Sequence, residues 1–325
     1  MNHKNKKYVV FVGGETAGPV MPLLAVADAW KSEDENIQPV FLDIKRSVSA
    51  RIIPDHGYKF KSIIAGKLRR YWTIKNIFSP LLTFIGLIQS LVLLTSLRPI
   101  VVVGAGGYIQ VPVIIAAWIL RIPRVIHQQD IVPTFSNIIC APLANKITTT
   151  FEKSVKDFSQ GLGFAKNYSK YTKVEWTGNP TTITVTNPTA EQKKAAQKIF
   201  KLENDWPTVL VIGGGSGARG LNQAVAHNLP DLLKIAQVIH STGVGKRIRP
   251  PEELPIASHD RYHQFEYINQ TEQAYIAADI VIGRAGIGTL TALSAMSKIS
   301  IIVPMPDSHQ EANAQLLYEK DAAIV

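Results

Sequence analysis

A single cysteine, Cys140, occurs in 325 residues, so neither an internal disulfide nor a cysteine-cluster metal site can form within the chain. It stands in the apolar run NIICAPLA, where a small buried residue is expected rather than a nucleophile. Charge is scarce too: 18% of residues are charged against 46% hydrophobic, which excludes a disordered chain and implies ample core. Acidic residues are the smaller set. Twenty-five Asp and Glu face 35 Lys and Arg, and the resulting net charge of +10 favours an anionic partner such as nucleic acid, acidic lipid or a phosphorylated substrate. A phosphate-binding loop of the Lys-Ser/Thr type is missing, because Gly18 is followed by Pro19. A cleavable leader is not expected either: YVVFV, behind Lys4, Lys6 and Lys7, is too short and ends in Gly13-Gly14.

One long apolar stretch does exist. Asn76 to Leu97 carries no charge and is long enough to span a bilayer. Polar Asn76, Ser79, Thr83, Gln89, Thr95 and Ser96, the internal Pro80 and the strand that follows at once favour a helix packed on a sheet. Lys67, Arg69 and Arg70, with Tyr71-Trp72 and Lys75 beyond, precede it, so lying on an anionic membrane surface is a second role to expect. Basic residues placed beside an apolar run, outside any recognised module, argue against nucleic acid.

The remaining pattern alternates strand-like and helix-like runs, the signature of βα units and a parallel sheet. Strands are expected at Tyr8–Val12, Val40–Leu42, Ile100–Val103, Arg124–His127 and Ile147–Thr150, with helices at Val20–Lys31, Val111–Leu120 and from Pro133. Gly178-Asn179-Pro180 and the Thr-rich segment to Pro188 then break the pattern. It resumes with a helix at Ala190–Phe200 and strands at Thr208–Ile212, Gln237–His240, Ile280–Ile282 and Ile301–Val303. Two domains, 1–178 and 179–325, each opening with a strand, a glycine turn and a helix, suit a chain of this length.

Chemistry is expected in the turns. Gly213, Gly215 and Ala218 fit the dinucleotide fingerprint formally, but the next strand ends in His240-Ser241-Thr242 and lacks the acidic residue that would hold a ribose. Gly283 to Ala314 joins a glycine turn, a helix, a buried strand and a polar loop holding Asp307, Ser308, His309, Gln310 and Asn313. In a parallel sheet such loops meet at the strands' carboxyl ends, where helix N-termini bind anions. Arg284 either meets a phosphate or pairs with Asp279, and both readings stay open. His127, followed by Gln128, Gln129 and Asp130, also ends a strand; hydrogen-bonded structure and catalysis are its alternatives.

GGETAGPVMPLLAVA, VVVGAGGYIQVP, RVIHQQDIVPTFSN, WTGNP, VIGGGSGARGLN, IHSTG, RAGIGTLTALSA and SHQEANA occur in that order over nearly the whole chain. Together they resemble the MurG family. The resemblance implies a GT-B fold, two Rossmann-like domains with parallel sheets facing a cleft. It implies inverting, metal-independent and cofactor-free transfer of N-acetylglucosamine from UDP-N-acetylglucosamine to the muramyl 4-hydroxyl of undecaprenyl-linked lipid I. That reaction would give lipid II at the cytoplasmic face of the membrane. Carried over by position, Ser216 and Gly217 approach the diphosphate, Ile268 the uracil, Arg284, Gly286 and Thr289 the donor pocket, and Gln310 and Asn313 the sugar. Thr16, Gly18, Gly106, Tyr108, His127, Gln129, Asp130 and Asn137 border the acceptor.

The chain departs from the family at several positions. Pro19 stands where the family has a histidine, Ala292 where it has a glutamate on the ribose, and Thr182 where an arginine often follows GNP. The chain also stops at Val325, before the family's closing helices. With no proton carrier at Pro19, Glu15 in the same loop is the expected substitute base, and Asp130 the next. A catalytically degenerate homologue that binds nucleotide-sugar or lipid, and a transferase with a different sugar or acceptor, are the alternative functions.

Overall fold

The structure, a computed structural model, describes residues 6–15, 17–67, 73–159, 173–203, 205–215, 217–250 and 260–325. The chain divides into two compact units, Met1–Thr182 and Ile183–Val325.

In the first unit, β1 (Lys7–Val12), β2 (Ile37–Asp43), β3 (Lys59–Ser62), β4 (Val101–Gly104), β5 (Arg124–Gln128), β6 (Lys146–Thr149) and β7 (Lys173–Trp176) form one parallel sheet. Their order is β3-β2-β1-β4-β5-β6-β7. Helices α1 (Ala17–Glu33), α2 (Ser49–Asp55), α3 (Lys75–Leu97), α4 (Gln110–Ile119), α5 (Phe135–Cys140) and α6 (Glu152–Ser159) connect them. Successive side chains of a strand point to opposite faces, so the unbroken apolar run of β1 feeds two cores. Val9 and Phe11 pack with Leu23, Leu24 and Phe41 beneath α1. Val10 and Val12 pack with Val102, Ile126, Ile147 and Val113 on the other side. Phe11 and Phe41 are fully buried and stacked at 5.0 Å, each side chain contributing about 2–3 kcal/mol by leaving water.

Helix α3 packs by one face only. Leu87, Leu91, Leu94 and Leu97 join the core beside α4. The opposite stripe, Ile77, Phe78, Leu81, Phe84, Ile88 and Val92, is at least 48% exposed. The helix expected to pack on a sheet therefore leaves half its apolar surface without a partner among the described residues.

In the second unit, α7 (Ala190–Ile199) starts at Thr189, whose hydroxyl accepts from the Gln192 N–H while the Gln192 side chain caps the Thr189 N–H. Then follow β8 (Thr208–Ile212), α8 (Arg219–Ile235), β9 (Gln237–Ser241), β10 (Tyr262–Phe265), α9 (Thr271–Ala277), β11 (Ile280–Gly283), α10 (Ile287–Ala295), β12 (Ile299–Ile302) and α11 (His309–Glu319). This parallel sheet runs β10-β9-β8-β11-β12. Val209, Val211 and Val238 bury against Leu221, Val225, Leu229 and Leu233 of α8. Leu210, Ile212, Ile239 and Val281 face α9 and α10.

In each sheet the strand order reverses beside the first strand, between β1 and β4 and between β8 and β11. Connections on either side of such a point leave in opposite directions and open a crevice at the strands' carboxyl ends.

Candidate functional site

In the first unit the loops after β1 and β4 flank the reversal. Glu15 follows β1 with φ of 71°, a left-handed conformation uncommon for a glutamate. The backbone is held there from β2: the Asp43 carboxylate accepts the Glu15 N–H at 3.1 and 3.3 Å and the Ile44 N–H at 2.6 Å. Asp43 is fully buried, and burial raises its pKa, opposed by those hydrogen bonds. The carboxylate of Glu15 meets Lys67 Nζ at 2.6 Å. Lys67, expected to face a membrane, thus has its ammonium engaged by the first loop. Gly18 lies in the first turn of α1 with Pro19, where a missing N–H costs nothing because first-turn donors have no helical partner. Thr16, Arg69, Arg70 and Trp72 lie outside the described residues.

After β4, the Gly106 N–H donates to Gln110 Oε1 at 3.0 Å, and Tyr108 lies beneath Lys67, Nζ 5.7 Å from the ring centre. Behind this loop runs a buried amide chain. Gln110 donates to Asn137 Oδ1 at 2.5 Å, and Asn137 donates to the His127 carbonyl at 3.1 Å and to Gln128 Oε1 at 2.7 Å. Gln129 donates to the Ala105 carbonyl at 3.0 Å. Asn137 and Gln129 are therefore framework for the glycine loop.

His127 has partners at both ring nitrogens: Thr148 Oγ1 lies 2.9 Å from Nδ1, with Asn179 Oδ1 at 3.1 Å and Thr150 Oγ1 at 3.2 Å from Nε2. Burial lowers its pKa to about 4, so the ring is neutral at neutral pH. Asp130 is half-buried beside it in sequence, and its carbonyl accepts from Gln128 at 2.7 Å.

In the second unit three helix N-termini gather at the carboxyl ends of the adjacent strands β8, β11 and β12. They belong to α8, to α10 behind Gly286, and to α11 capped by Ser308, whose hydroxyl accepts the Gln310 N–H at 3.2 Å. Free N–H groups and the helix dipole make such ends favourable for phosphate. Gly217, with φ of 68°, turns the chain into α8, and its carbonyl accepts from Lys246 Nζ at 3.3 Å. Ser216 lies outside the described residues.

Arg284 does not pair with Asp279. Asp279 is occupied by Lys193 and by the Thr208 N–H at 2.9 Å, on the far side of the strand it precedes. Arg284 Nη1 instead donates to the Val303 and Pro304 carbonyls at 3.0 and 2.6 Å. This aims the guanidinium at the start of α8, where a Cβ on Gly220 would lie 3.8 Å from Nη2. Asn313 is buried and donates to the Ala285 carbonyl at 3.2 Å, and Gln310 accepts the Met305 N–H at 3.1 Å. Gly286, Gln310 and Asn313 are thereby brought together. Thr289 is buried within α10, and buried Ile268 precedes α9, its carbonyl accepting the Thr271 hydroxyl at 2.9 Å.

Sequence reasoning missed Asp43 and the bracing of the 242–246 turn. There His240 meets Asn222 Oδ1 at 3.1 Å and Tyr262 Oη at 2.8 Å, while Asn222 donates to the Thr242 and Lys246 carbonyls. The one available signal was a charged or polar residue ending an apolar strand.

Residues 9–149 match the Glycosyltransferase family 28 N-terminal domain, and residues 208–325 match the C-terminal domain of that family. The chain is 35% identical to the UDP-N-acetylglucosamine--N-acetylmuramyl-(pentapeptide) pyrophosphoryl-undecaprenol N-acetylglucosamine transferase of Caldicellulosiruptor saccharolyticus, over 98% of this chain and 84% of that protein. It is 32% identical to the same-named transferase of Legionella pneumophila, over 91% and 77%. Among solved structures, MurG of Acinetobacter baumannii shares the fold at 22% identity with a TM-score of 0.64, covering 98% of this chain and 85% of that one. A UDP-GlcNAc 2-epimerase from Neisseria meningitidis, bound to UDP-GlcNAc, shares it at 13% identity and 0.64, covering 98% and 87%. Two parallel α/β units of the GT-B kind, and relatives of one name matched over more than nine-tenths of this chain, place it in the MurG family of glycosyltransferases.

Proposed function

We propose that this protein transfers N-acetylglucosamine from UDP-N-acetylglucosamine to the muramyl 4-hydroxyl of lipid I, yielding lipid II and UDP. The observation that carries this reading is the relation to transferases of that name, 35% identical over 98% of this chain and 84% of the relative. The second unit supports it with the groups a nucleoside diphosphate leaving group needs. The start of α8 beside Arg284 stabilises the charge that develops on the β-phosphate as the sugar bond breaks. Gln310 and Asn313, held against the Gly286 turn, hydrogen-bond the sugar. Ala292, buried in α10, has no polar side-chain atom to offer a ribose.

On the acceptor side Pro19 has no proton to exchange, and Glu15 removes the hydroxyl proton as the oxygen attacks the anomeric carbon with inversion. Its left-handed backbone, a costly conformation kept in place by Asp43, fits a residue fixed for a purpose. A general base of this kind contributes roughly a hundredfold or more. The exposed stripe of α3, with the basic segment before it, lies against the anionic cytoplasmic face of the membrane, where the lipid substrate resides.

Disaccharide formation from a soluble lipid I analogue and labelled donor tests the reading. Wild type makes product and Glu15→Gln loses at least a hundredfold in kcat. Absence of product from folded wild-type protein would overturn the reading and favour a homologue that only binds.

A further inference from the structure

Lys67 lies outside every motif that marks the family resemblance, yet it is where three loops of the first unit meet. Its ammonium is 2.6 Å from Glu15 Oε2 in the loop after β1 and 5.7 Å from the Tyr108 ring centre in the loop after β4, within cation–π range. Its own segment, after β3, is fixed to α3. The Lys67 carbonyl accepts the Ser79 hydroxyl at 3.0 Å, and the Ile64 N–H donates to Gln89 Oε1 at 2.8 Å. Gly66 runs so close to α3 that a Cβ there would fall 1.9 Å from the Ser79 carbonyl oxygen.

Ion pairs between half-exposed groups usually contribute little, because holding two long side chains in one geometry costs what the attraction returns. Both ends of this pair are fixed beforehand. The Glu15 backbone is clamped by Asp43, and the Lys67 backbone is clamped by α3. The hydrogen bond from Lys67 goes to one carboxylate oxygen, Oε2, at 2.6 Å.

We infer that Lys67 is a positioning residue for Glu15: its ammonium selects the carboxylate rotamer that leaves one oxygen for the acceptor hydroxyl. The inference rests on Glu15 being the base. It also gives Lys67 a role distinct from attraction to anionic lipid, since its charge is already engaged within the protein.

The test compares wild type, Lys67→Met, Lys67→Arg, Glu15→Gln and the Lys67→Met/Glu15→Gln double variant, each shown to be folded by its thermal melt. Turnover is measured on a soluble lipid I analogue, so that vesicle binding plays no part. The inference expects Lys67→Met to lower kcat about tenfold with little change in the acceptor KM. Lys67→Arg should restore most of that loss, and the double variant should be no slower than Glu15→Gln alone. A Lys67→Met effect confined to KM, or one that multiplies with the Glu15→Gln effect, would overturn it by making Lys67 a direct substrate contact. An unchanged kcat in Lys67→Met beside an inactive Glu15→Gln would overturn it while leaving Glu15 as base. Full activity in Glu15→Gln, or none in wild type, would remove the base reading and this inference with it.

Discussion

Two buried histidines, one in each unit, carry a pH dependence that follows from burial alone. His127 and His240 are each lowered to about 4, with desolvation the leading cause. An unfolded histidine titrates near 6.5, so below that pH the unfolded chain takes up a proton the folded chain refuses. Their contribution is complete above about pH 6.5 and lost as pH falls toward 4, by up to about 3 kcal/mol each. Asp43 acts in the opposite sense: its raised pKa means that protonation favours the folded state and blunts the loss. Urea midpoints should fall between pH 7 and pH 5, and His127→Gln should flatten that fall for the first unit. A second prediction concerns Gly217. A methyl there would sit 2.1 Å from the Thr242 carbonyl oxygen, at a φ that already disfavours alanine. Gly214 has a similar φ, 78°, but nothing within 4 Å. Gly214→Ala should therefore cost about 1 kcal/mol, and Gly217→Ala several times that with loss of UDP binding, as a thermal melt and donor titration will record. Neither Asp43 nor the use of Lys67 was legible in the sequence, because their links to Glu15 span 28 and 52 residues and no local pattern encodes them.

Among elements, legibility followed position in the sheet. The interior strands β1, β2, β4, β5, β6, β8, β9 and β11 are sandwiched between helices, and β1, β4, β8 and β11 read as almost unbroken apolar runs. The three strands that escaped notice, β3, β7 and β10, are all edges. An edge has one neighbour and needs no apolar alternation: β3 is KFKS and β7 is KVEW, both largely exposed. Polar edges also discourage pairing with another chain, so the same chemistry that hides them from a hydrophobicity reading protects the sheet. Helix α3 was legible as a helix and as a segment a membrane surface could cover, but which face stays bare was not, since its apolar residues are spread around the axis. Replacing Leu81 and Phe84 with serine, both exposed, should leave the melting temperature within a few degrees of wild type. Co-sedimentation with anionic vesicles should fall at least tenfold, while turnover on a soluble acceptor is kept. Retained sedimentation would exclude α3 as the docking face.

For the whole molecule, a charge of +10 predicts how the proposed membrane docking responds to its surroundings. Attraction to an anionic surface is screened over about 10 Å at 0.1 M salt and about 3 Å at 1 M, whereas apolar insertion is not. Raising salt should strip most of the protein from vesicles rich in acidic lipid and change binding to neutral vesicles little, as a flotation assay will read. Donor binding inside the second unit should weaken less over the same range, because the proposed phosphate contacts are helix termini and a guanidinium tied to two carbonyls. The lone cysteine has a practical consequence as well. Cys140 is wholly buried and burial pushes its thiol pKa far above the working range, so it stays protonated and closed to reagents in the folded protein. The native chain is therefore already a blank background for thiol chemistry. A cysteine introduced on each unit would take a fluorophore or spin label without interference, and the separation of the two units could be followed in solution as nucleotide and lipid are added.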